Sequence, residues 1–563
     1  MIFAKFAADC LKNVAGAQNK SETEADRMWE RRLIGLVGTF LFFFAILQTR
    51  LVGLSLNTQS AQAAAIQSSC LLPLYDGRAE IYDCEMRPLT GLAKETFALA
   101  LPGDDSYARL YPLLSEEAAA ALYGQSSSQP SLVPLQSEPA DSLGIYTFEK
   151  PRRYFEAPIA VHTLGYLGED GQGVSGIERC YDDLLSAGGS RLLVRCTTTA
   201  SGSLMAGTEP ELVEQEGSGQ AVQLTLDRDI QRICEGVALE ELEQGAIVVM
   251  ETATGKLRAV VSMPVYDPYD VAGAIAADDS SLLNRAISAY NVGSVFKPIV
   301  AAAALEAGLD PQEPYECTGV IEVDGHLYHC NQNKAHGTVT MTEALEHSCN
   351  CYFIWLGSKL GGEAITELAS RIGFGRAAPL AKDYYSAGGN LPTAEELENS
   401  GQLASISFGQ GKLLATPIQI AAGMNMIANG GIYIGPTLTE GTVEAETGTL
   451  LEAGPAQETL RAVSQQVSDT LRQMLQTVVE EGSGAKAKPE GLTAAGKTGT
   501  AQTGRYDEEG RELLDSWFAG FYPAEQPKYT IVILKDSAFS TGEELGPIFA
   551  RVCEGIELAT SSD

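Results

Sequence analysis

The chain has 563 residues, of which 45% are hydrophobic and 20% charged, enough apolar content for roughly three or four domain-sized units and too much for a disordered chain. Asp and Glu number 73 against 39 Lys and Arg, a formal net charge of -34, which repels nucleic-acid phosphates and excludes that class of partner. The 11 cysteines are an odd number with no regular scaffold spacing, so they cannot all pair within one chain.

Residues 1–32 are polar and mixed in charge, and residues 33–49 (LIGLVGTFLFFFAILQT) then run 17 positions without a charge. Such a run makes about 25 Å of helix, and extension to position 56 with Arg50 snorkelling completes a bilayer span. Lys20, Arg27, Arg31 and Arg32 precede it, whereas Arg50 is the only basic residue on the other side before Arg78. The bias predicts a single-pass anchor over 33–56 with a cytoplasmic N-terminus and the bulk of the chain outside the cell membrane. A cleaved signal peptide is the rival, since Ala61-Gln62-Ala63 resembles a cleavage site, but the long mixed-charge region ahead of the apolar run argues for the anchor.

Small and polar residues at 57–69 read as a linker. Residues 70–206 hold short β-rich runs broken by Gly, Pro and Asp, an extended module. The acidic stretch 207–220, ending in Gly-Ser-Gly, reads as a second linker, with a further domain over 221–563. There the runs 246–251 (AIVVME) and 257–262 (LRAVVS) predict a hairpin turning through Thr254-Gly255, and 517–522 (WFAGFY) and 529–534 (YTIVIL) predict two more strands. The stretch between is rich in helical pattern. An α+β domain follows, its antiparallel sheet joining both ends of the segment.

Gly293-Ser294-Val295-Phe296-Lys297 precedes the run IVAAAALEAG, which predicts Ser294 at a helix start with Lys297 one turn on, on the same face. A hydroxyl beside an amine that accepts its proton, at helix-terminal N–H groups that favour an oxyanion, is a nucleophile arrangement. Ser348-Cys349-Asn350 adds a hydroxyl and an amide. Lys497-Thr498-Gly499-Thr500 adds a cation, two hydroxyls and a glycine that admits a substrate close to the backbone. Each motif alone is cheap, but S-x-x-K, S-x-N and K-T-G in this order form the set of serine penicillin-recognising enzymes.

With these motifs the sequence resembles the class B penicillin-binding proteins, the monofunctional peptidoglycan D,D-transpeptidases. Asn284-Arg285-Ala286, Ser407-Phe408-Gly409-Gln410-Gly411 and the run KTGTAQ at 497–502 look like blocks of that family. Gly165-Tyr166, GVSGIE at 173–178 and Tyr181-Asp182 resemble its N-terminal pedestal, whereas RAEIYDCEMRPL at 78–89 departs from the usual R-G-x-I-x-D-R. The resemblance implies a β-rich pedestal carrying a serine β-lactamase-like transpeptidase domain. It implies Ser294 as nucleophile, Lys297 as base, Ser348 as proton relay and Asn350 holding the substrate amide. Lys497, Thr498 and Thr500 would receive a carboxylate, with Gly499 beside them. Peptidoglycan stem peptides are then the substrate, β-lactams are inhibitors, and a polytopic membrane glycosyltransferase is the partner.

A β-lactamase, a D,D-carboxypeptidase and a non-catalytic β-lactam sensor or scaffold are the alternatives. Glu395-Glu396-Leu397-Glu398-Asn399 faintly matches the E-x-x-x-N of some β-lactamases, or is an acidic surface loop. No organic cofactor is expected. Cys317, Cys330, His336 and Cys349 are separated by 12, 5 and 12 residues, and three thiolates with an imidazole suit a tetrahedral structural zinc. Cys351 is an alternative to Cys349, and His326 and His329 read as solvated loop residues. A zinc-binding subgroup of the family carries ligands in this interval. A disulfide or buried free thiols are the rival readings.

Overall fold

The computed structural model describes residues 24–561 except 56–68, 92, 103, 125–128, 138, 140–143, 156, 200–203, 206–207 and 278. Most of the N-terminal tail, the linker expected at 57–69 save its last residue, and Ala61-Gln62-Ala63 lie outside the described residues. Helix α1 (Glu24–Ser55) contains one stretch, Met28–Gly53, long and apolar enough to cross a membrane. It starts before the apolar run because nothing in Glu30-Arg31-Arg32 breaks a helix. Large apolar side chains such as Phe40 and Phe42 stand exposed along it.

The β-rich module is built on two three-stranded sheets. One has the order β1 (Ser69–Tyr75), β6 (Arg191–Thr197), β7 (Glu211–Gln215), and the other the order β4 (Ser131–Pro134), β3 (Ala93–Ala100), β5 (Thr147–Arg152). Strand β7 falls inside the stretch 207–220 read as a linker. Its alternation is masked by Glu and Gln, as suits an exposed edge that pairs on one side only. The short strand β2 (Ile81–Tyr82) leaves the module and pairs in parallel with β8 (Gln220–Leu224), itself antiparallel to the strand Thr439–Glu444. One sheet thus bolts the module to the domain that follows.

A buried ion cluster sits near this joint. The Glu178 carboxylate, with no exposed surface, accepts from Arg78 Nε at 2.7 Å and from Arg153 Nε at 2.6 Å. Arg87 closes onto Asp83 at 2.7 Å and reaches Asp227 at 3.2 Å. The departure of residues 78–89 from the family pattern therefore leaves a full set of ionic partners.

The C-terminal domain carries a five-stranded antiparallel sheet, with β9 (Gly245–Glu251) and β10 (Leu257–Met263) from its start. β11 (Ala495–Tyr506), β12 (Glu512–Tyr522) and β13 (Tyr529–Ala538) come from its end, in the order β10-β9-β13-β12-β11. Four of its strands are those expected from the sequence; the fifth, β11, carries the K-T-G motif and is not among the expected strands. Its central strands are almost wholly buried because helices cover both faces. One face packs α2 (Arg228–Glu241) and the C-terminal helix Gly546–Thr560, through Ile230, Cys234, Phe549 and Val552. Against the other, α3 (Lys297–Glu306) and α4 (Asn350–Leu360) form an outer layer, α4 on α3 and α3 on the two helices that touch the sheet, α5 (Pro417–Ala428) and α6 (Gln465–Glu480).

Candidate active site

Residues 293–296 form a 3-10 turn that continues into α3 from Lys297, with Pro298 in the first helical turn where its missing N–H costs nothing. Ser294 is half-buried, one turn before the fully buried Lys297. Gly293 has φ +63°, and a Cβ built on it would lie 3.1 Å from the Thr500 carbonyl carbon. Its N–H donates to the Gly409 carbonyl at 2.8 Å, and a Cβ on Gly409 would sit inside the Gly293 carbonyl. The glycines of the S-F-G-Q-G block and of the nucleophile turn thus let two backbones touch. On β11, a Cβ at Gly499 would meet Val295 Cγ1 at 2.9 Å, so K-T-G needs its glycine to bring the strand against the Ser294 turn.

Ser348 ends the helix Met341–Glu346 one residue beyond its C-cap His347, in the left-handed region at φ +54°. That position normally takes Gly or Asn, and holding a serine there costs on the order of 1–2 kcal/mol. Its carbonyl and Oγ both face Lys297, whose Nζ donates to them at 2.7 and 3.1 Å and to Asn350 Oδ1 at 2.8 Å. Asn350 Nδ2 donates to the His329 carbonyl at 3.2 Å. S-x-x-K and S-x-N are therefore one hydrogen-bonded unit. Burial pushes Lys297 down from 10.5 to about 8, against the opposing field of nearby cysteine thiolates. Lys497 on β11 is also fully buried, and desolvation followed by repulsion from Lys297 pushes it well below the usual lysine range. Its Nζ donates to the Thr498 carbonyl at 3.1 Å and Oγ1 at 3.3 Å. The Thr500 hydroxyl accepts from the Gly542 N–H at 3.0 Å.

Two supports carry no sequence motif. Ser483, in the turn after α6, accepts from Thr498 Oγ1 at 3.1 Å, and its N–H donates to the Glu346 carbonyl at 3.0 Å, tying β11 to the turn before Ser348. Gly482-Ser483-Gly484 is the only sequence signal for it. Asp515 on β12 accepts from the backbone and side-chain N–H groups of Asn291, both at 3.2 Å, and from Arg505 of β11 at 3.4 Å. It thereby joins the segment leading into Ser294 to the far end of the K-T-G strand.

Behind the site, Cys317 Sγ is 3.7 Å from Cys330 Sγ and 3.6 Å from His336 Nδ1, while Cys330 Sγ is 3.4 Å from His336 Nδ1 and 3.5 Å from Cys349 Sγ. All four ligand atoms lie within 4.8 Å of one another. A tetrahedron with metal–sulfur bonds of about 2.3 Å has S···S edges of ~3.8 Å and S···N edges of ~3.5 Å, so the donor set fits such an ion. Cys349 caps α4, its sulfur accepting from the Tyr352 N–H at 3.4 Å, a contact that offsets part of the upward push of Cys330 and burial on this thiol. Contacts among the sulfurs push Cys330 down and Cys349 and Cys351 up. Cys351 is buried nearby but outside the four. His326 and His329 are exposed on a hairpin. Asn399 of the E-x-x-x-N match caps the helix Ser400–Ser407, and Glu396 pairs with Lys412 at 2.7 Å, a surface-loop arrangement.

Residues 245–554 match the family model described as the penicillin binding protein transpeptidase domain. The chain is 31% identical over 432 residues to the stage V sporulation protein D of Bacillus subtilis, covering 74% of this chain and 65% of that protein, just under two thirds of its length. It is 31% identical over 416 residues to the peptidoglycan D,D-transpeptidase PbpA of Mycolicibacterium smegmatis, covering 69% and 78% of the two. A solved structure described as showing structural coordination of polymerization and crosslinking by a peptidoglycan synthase complex shares the fold, with TM-score 0.68 and 24% identity over 93% of this chain and 98% of that one.

Proposed function

The chain belongs to the penicillin-binding protein transpeptidase family, and from that membership we propose that it is a peptidoglycan D,D-transpeptidase acting through a serine acyl-enzyme and blocked covalently by β-lactams. The observation that carries the reading is the buried Lys297 amine, pushed down to about 8 and in contact with Ser348 Oγ, one helical turn from Ser294. Neutral Lys297 accepts the Ser294 proton as Oγ attacks the carbonyl of the penultimate D-Ala of a stem peptide. Backbone N–H groups of Ser294 and Thr500 hold the oxyanion. Ser348 relays the proton to the leaving amine, terminal D-Ala departs, and the amine of a second stem takes the acyl group. Asn350 orients the substrate amide, and Lys497, Thr498 and Thr500 receive the terminal carboxylate.

The membrane reading belongs to the same proposal. Helix α1 anchors the chain with its N-terminus cytoplasmic, and the pedestal and transpeptidase domain face outward. Glycan is polymerised by a polytopic membrane glycosyltransferase that contacts the anchor and pedestal, a reading supported by likeness to a structure from a peptidoglycan synthase complex. Loss of coupled synthesis after residues 33–56 are replaced by an unrelated span tests it, and unchanged coupling refutes it.

The test of the chemistry is the intact mass of the full chain before and after a penicillin, wild type against Ser294→Ala. A single adduct lasting hours on wild type alone is expected. An adduct on Ser294→Ala overturns the nucleophile, and one lost within minutes makes the protein a hydrolase.

Cys317, Cys330, His336 and Cys349 are proposed as the ligands of a structural zinc, in keeping with the family's zinc-binding subgroup. A bound dication would offset two of the three thiolate charges and fix the loop that carries Ser348 and Asn350. Metal analysis of the purified chain should give about one zinc, falling near zero in Cys317→Ser and on acidification, since the thiolates must stay deprotonated. A metal-free chain with Cys317 or Cys330 oxidised sinks the assignment.

A further inference from the structure

Outside the active site one pair of cysteines stands opposed. Strands β1 and β6 are antiparallel, and their register places Cys70 directly across from Cys196, between the pairs Ser69↔Thr197 and Leu71↔Arg195. Opposed antiparallel residues have Cα atoms about 4.5–5.5 Å apart, inside the ~4.4–6.8 Å span of a disulfide. Both side chains lie on the face that packs with Leu74, Leu99 and Val194, and the two thiols are in hydrogen-bond contact. Cys196 is fully buried and Cys70 half-buried, so one sulfur is open to a reagent and the other is held behind it. Cys234 and Cys553, which also lie near each other, are both fully buried and offer no such entry.

The place of the pair gives it a use. Strand β1 is the first described element after α1, and it is an edge strand whose one hydrogen-bonded strand neighbour among the described residues is β6. Its ladder is weakened further by Pro73, which has no N–H to donate, and by a register shift between Pro73 and Tyr75. Any pull from α1 is therefore borne by a short, interrupted row of backbone bonds.

We propose that Cys70 and Cys196 are a disulfide site, a covalent staple that fixes the first strand of the pedestal to its sheet when the protein meets an oxidising compartment. The oxidant is an external disulfide, of a small thiol or of a thiol–disulfide exchange protein. The Cys70 thiolate attacks it, forming a mixed disulfide and releasing one thiolate. Cys196 then loses its proton and attacks Cys70 sulfur, expelling the second. Two electrons and two protons pass from the protein dithiol to the external disulfide, which leaves as two thiols. Burial raises Cys196 to about 12, which makes the second step the slow one.

The full chain in detergent, first reduced, is incubated with oxidised glutathione, alkylated and digested without reductant. A peptide pair linked through Cys70 and Cys196 is expected as the main product, and Cys196→Ala should hold glutathione on Cys70 instead. Hydrogen exchange at the amides of Leu71 and Leu72 should slow at least tenfold on oxidation of wild type and not in Cys70→Ser, which keeps the effect apart from oxidation of the other thiols. Both cysteines remaining alkylated after oxidation, a persistent glutathione adduct on wild-type Cys70, or unchanged exchange in β1 would overturn the proposal. None of these readouts depends on Ser294 chemistry, so failure of the transpeptidase reading and failure of this one are separable.

Discussion

The pH dependence of acylation tests the role of Lys297 most directly. Lowering a lysine from 10.5 to about 8 biases it toward the neutral amine by about 3 kcal/mol. With a midpoint of about 8, the neutral fraction is roughly 1% at pH 6, 9% at pH 7, 50% at pH 8 and 90% at pH 9, against roughly 0.03% at pH 7 for an ordinary lysine. The base works only when neutral, so the second-order rate of penicillin acylation should rise about tenfold from pH 6 to 7 and level off above pH 9. Lys297→Arg keeps the cation but removes a titratable base. Its rate should fall by about 10²–10⁴ with no acid limb left in this range. Stopped-flow mixing with a chromogenic cephalosporin, or quenched intact-mass time courses, gives the rates. A profile flat from pH 6 to 9, or one still climbing tenfold per pH unit at pH 10, refutes the assignment.

Removing the Glu178 carboxylate takes away the fully buried partner that Arg78 and Arg153 share and leaves them only the part-exposed Asp182 at 2.9 Å and Glu80 at 3.6 Å. Glu178→Ala should therefore lose about 3–5 kcal/mol in denaturant unfolding, and an unchanged midpoint would mean the cluster does not hold the pedestal joint. Asp515→Asn keeps an acceptor for Asn291 but discards the charge that faces Arg505. Acylation should slow about tenfold, near the 1.4 kcal/mol of one charge-assisted bond, with noncovalent penicillin affinity unchanged; equal losses in both would make Asp515 merely structural.

The parts of the fold that were legible in the sequence are those where local pattern and burial agree. The hairpin through Thr254-Gly255 and the strands at 517–522 and 529–534 are apolar runs with turn residues at their ends, and they became the three central strands β9, β12 and β13 and the edge strand β10. Motif order singles out Ser294, Lys297, Ser348, Asn350 and Lys497, and the structure brings Lys297, Ser348 and Asn350 into hydrogen-bond contact. Strand β7 was not, because an exposed edge made of Glu and Gln has no apolar alternation to read. Ser483 and Asp515 were equally hidden. Their roles exist only through partners such as Thr498 and Asn291, far along the chain, and no spacing rule encodes a contact across 15 or 224 residues.

The placement of Cys349 inside the S-x-N motif has a consequence for the base. The ammonium of Lys297 is held by the Ser348 carbonyl, the Ser348 hydroxyl and the Asn350 amide, so its position and its proton affinity both follow the loop 347–350. That loop contains a serine in the left-handed region, a conformation that persists only where its surroundings over-determine it. On the active-site side the surroundings are Lys297 itself, the group to be positioned. Facing the other way, the Cys349 N–H donates to the Ala344 carbonyl at 2.8 Å, and the Cys349 sulfur lies 3.5 Å from Cys330 and accepts from the Tyr352 N–H at the start of α4. A misplacement of about 1 Å is enough to cost about 10²-fold in rate. We therefore predict that the cysteine cluster helps to position Lys297, so that Cys317→Ser lowers the acylation rate before it lowers the unfolding midpoint; an unchanged rate refutes this.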